Sequence, residues 1–233
     1  MTLFVLKLIA VLTMVIDHTG LLFFPDQELF RMIGRVAFPI FAWGIANGYR
    51  HTSNVKKYLS RLLILAIVSQ IPYSIIFGTL YGIPWRMNIF VTLAMGLVMM
   101  LMYDRLRGDR LLQRMSLLLM IVFGLLIPTG YGLYGLLMIF VFNITYGKTE
   151  AMILWQSVLT IAVVYLTQHY AYLLPIDMIR YLALPSTTQY WSLAALPLLA
   201  LYSNKKGYNK HKWWFYWFYP VHLVTLFCLY LFG

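Results

Sequence analysis

The sequence predicts an all-α fold: a single domain over residues 1–233 in which a polytopic bundle of transmembrane helices crosses the membrane about nine times. The chain is 62% hydrophobic and only 11% charged, and its apolar runs repeatedly reach the length of about 20 residues that a helix needs to cross a bilayer. Lys and Arg gather in the short connections between these runs. The single cysteine, Cys228, excludes an internal disulfide and a cysteine-ligated metal cluster.

The apolar runs give the order of the predicted spans. The first run begins almost at Met1 and is longer than the apolar core of a signal peptide, so we expect it to remain as the first span. The predicted spans cover residues about 3–24, 30–48, 59–78, 88–103, 111–128, 131–146, 150–168, 189–203 and 214–232.

The basic residues predict the orientation of the chain. They follow the even-numbered spans, at Arg50, Lys56, Lys57, Arg61, Arg105, Arg107, Arg110, Arg114, Lys148, Lys205, Lys206, Lys210 and Lys212. Because such loops face the cytoplasm, we expect the N-terminus inside and the C-terminus outside a bacterial cytoplasmic membrane. A formal charge of +11 would also suit nucleic acid, but its placement beside the spans indicates the lipid bilayer as the partner instead.

The hairpin over residues 14–41 places four ionisable side chains, Asp17, His18, Arg31 and Arg35, inside apolar sequence. Such groups are costly at membrane depth and normally serve a function. With the turn at Pro25 taken as the outer surface, His18 lies roughly 10 Å deep, level with the gap between the two arginines. This hairpin is therefore the predicted active site.

Two interpretations of the hairpin remain open. Arg31 and Arg35 share one helix face, whereas Asp17 and His18 are adjacent and point about 100° apart. In the structural interpretation, Asp17 neutralises an arginine and His18 only makes a hydrogen bond. In the functional one, two arginines against one carboxylate leave a surplus cation that would attract an anionic ligand.

Further polar side chains enter the predicted spans on the same outer side. A polar cavity shared with the two arginines would make them substrate-binding residues, although an amide taken singly is more often a hydrogen-bonding link between helices than a ligand. They are Gln70, Tyr73, Arg86 and Asn88.

Two later segments are also candidates. His222 lies roughly 13 Å into the last span, beside Pro220, and is either a site residue or a structural histidine. Residues 169–188 form the one long connection and are either an outer lid or a packed connector.

These groups suit a transfer reaction. Imidazole has the unperturbed pKa best matched to a general base near neutral pH. An acyl donor carried on coenzyme A would bring phosphates to the cytoplasmic Lys and Arg, and its thioester could reach His18 from inside while the acceptor arrives from outside. The acidic residues Asp26 and Glu28 at the outer turn favour an amine as the acceptor over a sugar hydroxyl.

Several motifs carry a resemblance to a known family. IDHTG in the first span, RMIGRVAFPIF in the second, QIPY, NIFVTLAMG, YGLYGLL and the terminal KWWFYWFYPVHL resemble, in order, the TraX family of conjugation-associated membrane proteins. The resemblance implies an acetyltransferase that uses acetyl-coenzyme A to modify the N-terminus of pilin, within the wider class of transmembrane acyltransferases. It further implies a catalytic His18 supported by Asp17, Arg31, Arg35 and His222.

Alternatives remain open both for the acceptor and for the class of function. An exported peptide, a lipoprotein amine or an envelope glycan hydroxyl could replace pilin as the acceptor. A transporter for an anionic solute would use the same arginines without chemistry. A b-type haem protein would use His18 and His222 as axial ligands, and a structural subunit of an envelope assembly would need none of the buried charges.

Overall fold

A computed structural model of the chain describes residues 1–173, 185–208 and 212–233, and it confirms the all-α fold for these ranges. They form helices joined by turns, with one isolated β-bridge between Met87 and Thr129. The described α-helices are α1 (Leu3–Phe23), α2 (Glu28–Gly34), α3 (Ala37–His51), α4 (Val55–Tyr81), α5 (Ile89–Arg105), α6 (Arg110–Leu126), α7 (Gly132–Ile144), α8 (Thr149–Tyr170), α9 (Ala195–Ala200) and α10 (Lys212–Phe232). Short 3-10 helices cover Ala171–Leu173 and Thr187–Ala194.

Five helical segments among the described residues are long and apolar enough to cross a membrane, which makes this a membrane protein. They are Leu3–Phe23, Glu28–His51, Val55–Tyr81, Thr149–Leu173 and Trp214–Phe232. The helices at the other four predicted spans are shorter; α5 and α6, with 17 residues each, reach about 26 Å against a hydrocarbon core of about 30 Å. The number of nine spans and their orientation stay predictions.

The second predicted span is broken at Arg35 and Val36, between α2 and α3, where the sequence predicted a continuous helix. Pro39 explains the break. Proline has no backbone N–H to donate to the carbonyl four residues earlier, which is that of Arg35, and its ring crowds that carbonyl, so proline is accommodated most easily in the first turn of a helix. The chain therefore restarts a helix at Ala37, with Pro39 in its first turn.

The eighth predicted span consists of a 3-10 helix over Thr187–Ala194 followed by the short α9. Pro197 lies in the first turn of α9 and cannot donate to the carbonyl of Leu193, which removes an α-helical hydrogen bond where the 3-10 helix changes to α9. Because a 3-10 helix rises about 2.0 Å per residue, the combined segment is about 25 Å long despite its few residues.

Residues 1–41 and 186–233 form one compact unit. Within it, α1 packs against α2 and α10, and the 3-10 helix over Thr187–Ala194 packs against α2 and α9. The ring of Phe4 lies 5.8 Å from that of Phe215, and the ring of Phe23 lies 6.1 Å from that of Tyr230. Since their beginnings meet and their ends meet, α1 and α10 run parallel.

The backbone near the N-terminus is held by the connection that follows α9. Leu3 and Phe4 donate their N–H groups to the carbonyls of Lys205 and Lys206 at 2.9 and 3.1 Å, and Ser203 donates to the carbonyl of Met1 at 2.8 Å. These bonds bring the first residues to a lysine-bearing loop. The contact places the two segments on the same side of the first unit.

Residues 42–185 form a second compact unit, in which α5 packs against α4, α6 and α7, and α7 packs against α8. Its core contains Leu97, Met100 and Ile139, which are fully buried. Met87 exchanges backbone bonds with Pro128 and Gly130 at 2.8 and 3.1 Å, which joins the connections before α5 and before α7. Of the candidate lid at 169–188, residues 174–184 lie outside the described residues, so the lid stays a prediction.

Two glycines allow α1 and α2 to approach closely. A Cβ at Gly20 would overlap the side chain of Phe30, and a Cβ at Gly34 would overlap that of Asp17. The helices therefore meet at distances that only glycine permits.

We expect Gly34→Ala to lower the apparent melting temperature of the purified protein in detergent. The added methyl group forces Asp17 away from α2, and overpacking of this kind costs about 1–3 kcal/mol. Gly44→Ala is the matched control, because a Cβ at Gly44 meets nothing within 4 Å and alanine favours a helix. A melting temperature of Gly34→Ala equal to that of Gly44→Ala would contradict the close approach of α1 and α2.

Candidate active site

Asp17 on α1 forms ion pairs with both arginines of the hairpin. Arg31 Nη1 lies 2.8 Å from Asp17 Oδ2 and also donates to the Asp17 carbonyl at 3.3 Å, and Arg35 Nη2 lies 3.8 Å from Asp17 Oδ1. The Asp17 side chain is only 15% exposed. Placing a carboxylate between two guanidinium groups compensates its charge, and one positive charge remains in this group of three side chains.

His18 points away from these ion pairs and meets His222 of α10. Nδ1 of His18 lies 2.8 Å from Nε2 of His222, and the two rings are 5.0 Å apart and nearly parallel. His222 is 6% exposed, whereas His18 keeps some exposed surface. The structure thus joins two histidines that are separated by 204 positions in the chain.

The hydrogen bonds define which ring nitrogen carries each proton. His222 Nδ1 lies 3.0 Å from the carbonyl of Phe218, and a carbonyl only accepts, so this nitrogen is the donor. In a neutral His222 the other nitrogen, Nε2, then accepts, and His18 must donate to it from Nδ1. The lone pair of neutral His18 is therefore on Nε2, which makes that atom the available base.

Aromatic rings enclose the pair of histidines. Phe218 stacks on His222 with a ring separation of 5.3 Å, and Tyr219 meets His18 and His222 edge to face at 6.4 and 5.4 Å. The sequence interpretation did not single out Phe218 or Tyr219 for the site. Their signal was the FYPVH segment, in which helical spacing sets Phe218 one turn before His222.

The facing nitrogens of the two histidines do not suit axial haem ligation. An iron between them would need room for two metal–nitrogen bonds of about 2 Å each on opposite sides, as in other histidine-bound metals. Their separation of 2.8 Å is instead that of a direct hydrogen bond. In this arrangement the two imidazoles share one hydrogen-bonded proton between His18 Nδ1 and His222 Nε2.

The second unit holds the remaining predicted site residues, Gln70, Tyr73, Arg86 and Asn88. Gln70 accepts from the Asn88 side chain at 2.9 Å and donates to the carbonyl of Arg86 at 2.8 Å. Asn88 also donates to the carbonyl of Ala66 and caps α5 by accepting from Phe90 at 3.0 Å. These bonds account for both amides as links between α4 and α5, and a role in binding substrate stays a prediction.

A polar cluster that the sequence interpretation missed also lies in the second unit. Asp104 accepts from Tyr49 at 3.1 Å and forms ion pairs with Arg50 at 3.7 Å and Arg107 at 2.8 Å. The sequence signal for this cluster was Asp104 itself, an acid that directly follows the fourth predicted span and stands next to several arginines.

Comparison with known proteins relates the chain to one family. A family profile described as TraX protein matches residues 2–230. A "Probable fimbrial assembly protein FimC, serogroup H1" of Dichelobacter nodosus is 31% identical over 242 residues, which covers 96% of this chain and 93% of that protein.

Two proteins of Escherichia coli named "Protein TraX" are also similar. One is 35% identical over 138 residues, or 58% of this chain and 52% of its own length, and one from strain K12 is 32% identical over 151 residues, or 64% and 58%. No solved structure matches the chain. Because the family profile covers almost all of the sequence, this protein belongs to the TraX family.

Proposed function

We propose that this protein is a multi-pass acyltransferase of the bacterial cytoplasmic membrane. It moves an acetyl group from cytoplasmic acetyl-coenzyme A to an acceptor outside the membrane, preferentially the N-terminal amine of a pilin or another exported peptide. His18 is the general base. The observation that carries the proposal is the hydrogen-bonded pair of His18 and His222, which leaves His18 Nε2 as the proton acceptor.

In the proposed reaction the neutral acceptor amine attacks the thioester carbonyl of acetyl-coenzyme A. A C–N bond forms, the C–S bond breaks, and His18 Nε2 takes the proton that the amine loses. The same proton then passes to the sulfur of coenzyme A, which leaves as the thiol. The products are the acetylated amine and free coenzyme A.

His222 has the role of a positioning residue. By accepting from His18 Nδ1, it holds the imidazole in the tautomer that exposes the Nε2 lone pair, and it shares the positive charge after His18 is protonated. The carbonyl of Phe218 orients His222 in turn. Such a chain of fixed hydrogen bonds is the arrangement that catalytic histidines need.

Asp17 and the two arginines give the site a fixed charge pattern. The surplus positive charge of Arg31 and Arg35 suits the oxygen that becomes negative when the amine adds to the thioester, or another anionic part of the substrates. Asp17 keeps both guanidinium groups near its carboxylate.

The names of the relatives favour an acceptor from a surface filament. One relative is named as a probable fimbrial assembly protein. The acidic residues at the outer turn, Asp26 and Glu28, would attract an N-terminal amine. We therefore place the acceptor on the outer face and the acyl donor on the cytoplasmic face.

The proposal is tested in sealed, oriented vesicles that contain the purified protein. Labelled acetyl-coenzyme A is supplied on the cytoplasmic face, and a panel of exported peptides and envelope glycans is confined to the opposite face. We expect mass spectrometry to find the label on a peptide N-terminus. Label on a glycan would change the acceptor, and transfer only when donor and acceptor share one face would contradict the proposed path.

We expect His18→Ala to abolish transfer while leaving expression and thermal stability nearly intact. His222→Leu removes the partner of His18 Nδ1 and should lower kcat about 100-fold, within the range of general-base effects. His222→Gln keeps a hydrogen-bond acceptor near the position of Nε2. Its kcat should be about tenfold higher than that of His222→Leu, and its pH profile of kcat should be shifted.

Thr225→Val is the matched control on α10, because within the described residues its hydroxyl bonds to its own helix, at the Val221 carbonyl. Wild-type turnover by a homogeneous His18→Ala protein would refute the general base. Equal kcat values and pH profiles for His222→Leu and His222→Gln would show that His222 only packs.

The two arginines should respond differently to replacement by lysine. Arg31 has the short ion pair with Asp17, so Arg31→Lys should mainly lower the melting temperature. Arg35 lies 3.8 Å from Asp17, so Arg35→Lys should mainly lower the transfer rate, because lysine lacks the planar fork of a guanidinium group. Arg105→Lys, an exposed charge-conserving change, is the control; full activity in both variants would mean that the arginines only neutralise Asp17.

A further inference from the structure

The second unit contains a basic pocket that the proposed chemistry at His18 does not use. The pocket has a volume of about 550 Å³, within the range typical of small-molecule sites. The residues of its wall that matter for binding are Arg50, Tyr103, Arg107, Arg110, Asn143 and Tyr146.

Three connections of the second unit meet at this pocket. Arg50 lies in the last turn of α3, Arg107 follows α5, Arg110 begins α6, and Tyr146 follows α7. Arg50 joins them, because its Nη2 donates to the Asn143 carbonyl at 3.2 Å and its Nη1 pairs with Asp104 at 3.7 Å. All three connections are predicted to face the cytoplasm.

The charge of the pocket favours a ligand with several negative charges. Among the described residues that line the pocket, Arg50, Arg107 and Arg110 carry guanidinium groups and none carries a carboxylate. Asp104 pairs with Arg50 and Arg107, which leaves a surplus of two positive charges in this group of four side chains. Guanidinium groups bind phosphate with two parallel hydrogen bonds. Asp104 orients Arg50 and Arg107 so that this surplus stays at the pocket.

The other wall residues suit a base attached to the phosphates. Tyr103 and Tyr146 bring aromatic rings to the pocket wall, where Arg50 lies over the Tyr146 ring at 5.8 Å, and stacking of a base on such rings depends little on the identity of the base. Asn143 is 1% exposed, and within the described residues neither its Nδ2 nor its Oδ1 makes a hydrogen bond. A carboxamide that needs both an acceptor and a donor matches the edge of adenine.

We propose that this pocket binds a purine nucleotide with several phosphates, namely the nucleotide end of the acyl donor. The identity of that donor rests on the proposed acyl transfer, whereas the nucleotide chemistry rests on the pocket. The arginines hold the phosphates, and Asn143 with the two tyrosines holds the base.

Direct binding to the purified full-length protein tests this assignment without any acceptor present. The probes are coenzyme A and adenosine 3′,5′-bisphosphate, with inorganic phosphate for comparison, measured by calorimetry in nanodiscs. We expect Arg110→Gln and Arg107→Gln each to weaken binding of both nucleotides about tenfold or more, as the loss of a charge-assisted contact does. Arg114→Gln removes the same charge one turn further along α6, outside the pocket wall, and should change affinity less than about twofold.

The result separates this proposal from the acyl transfer. Nucleotide binding that depends on Arg110, without transfer to any acceptor, would support the pocket and refute the transferase. Transfer with an unchanged KM for acetyl-coenzyme A in Arg110→Gln would support the transferase and refute the pocket. Equal binding of inorganic phosphate, or an effect of Arg110→Gln confined to nanodiscs with anionic lipid, would also refute it, because the pocket would then bind a phosphate or a lipid headgroup instead of a nucleotide.

Discussion

The ion pairs of Asp17 set the conditions for the rest of the first unit. The charge of a carboxylate in apolar surroundings needs compensation, and both arginines that provide it come from the second half of the hairpin, in α2 and directly after it. This pairing must bring α2 against α1, which requires glycine where the two helices touch. Because the Asp17 side chain faces these arginines, the side chain of the next residue, His18, faces α10.

The two units solve a similar electrostatic problem in similar ways. In the first, Asp17 lies between Arg31 and Arg35; in the second, Asp104 lies between Arg50 and Arg107. In each case a single acid fixes the direction of two guanidinium groups without cancelling both charges. An acid used this way prepares a positive surface in a defined geometry, since a flexible arginine would otherwise lose side-chain entropy on binding an anion.

Local patterns in the sequence predicted the helices, because apolar runs set helix lengths. They also offered the arginines as partners of Asp17 in one of two interpretations, because residues four apart share a helix face. The contact of His18 with His222 depends on how α1 and α10 pack, which no local pattern contains. Pro39 indicated a break near Arg35, but the long apolar run around it favoured a continuous helix. The sequence did not predict the pocket, because its residues come from three connections that only the fold brings together.

The separation of the two histidines has a consequence for biosynthesis. His222 is synthesised 204 residues after His18, so the proposed base stays unaligned until α10 has been made and inserted. An unfinished chain in the membrane has the ion pairs of the hairpin but no oriented imidazole. The proposed activity would therefore begin only when α10 is inserted, and removal of α10 by proteolysis would end it while leaving the other described helices in place.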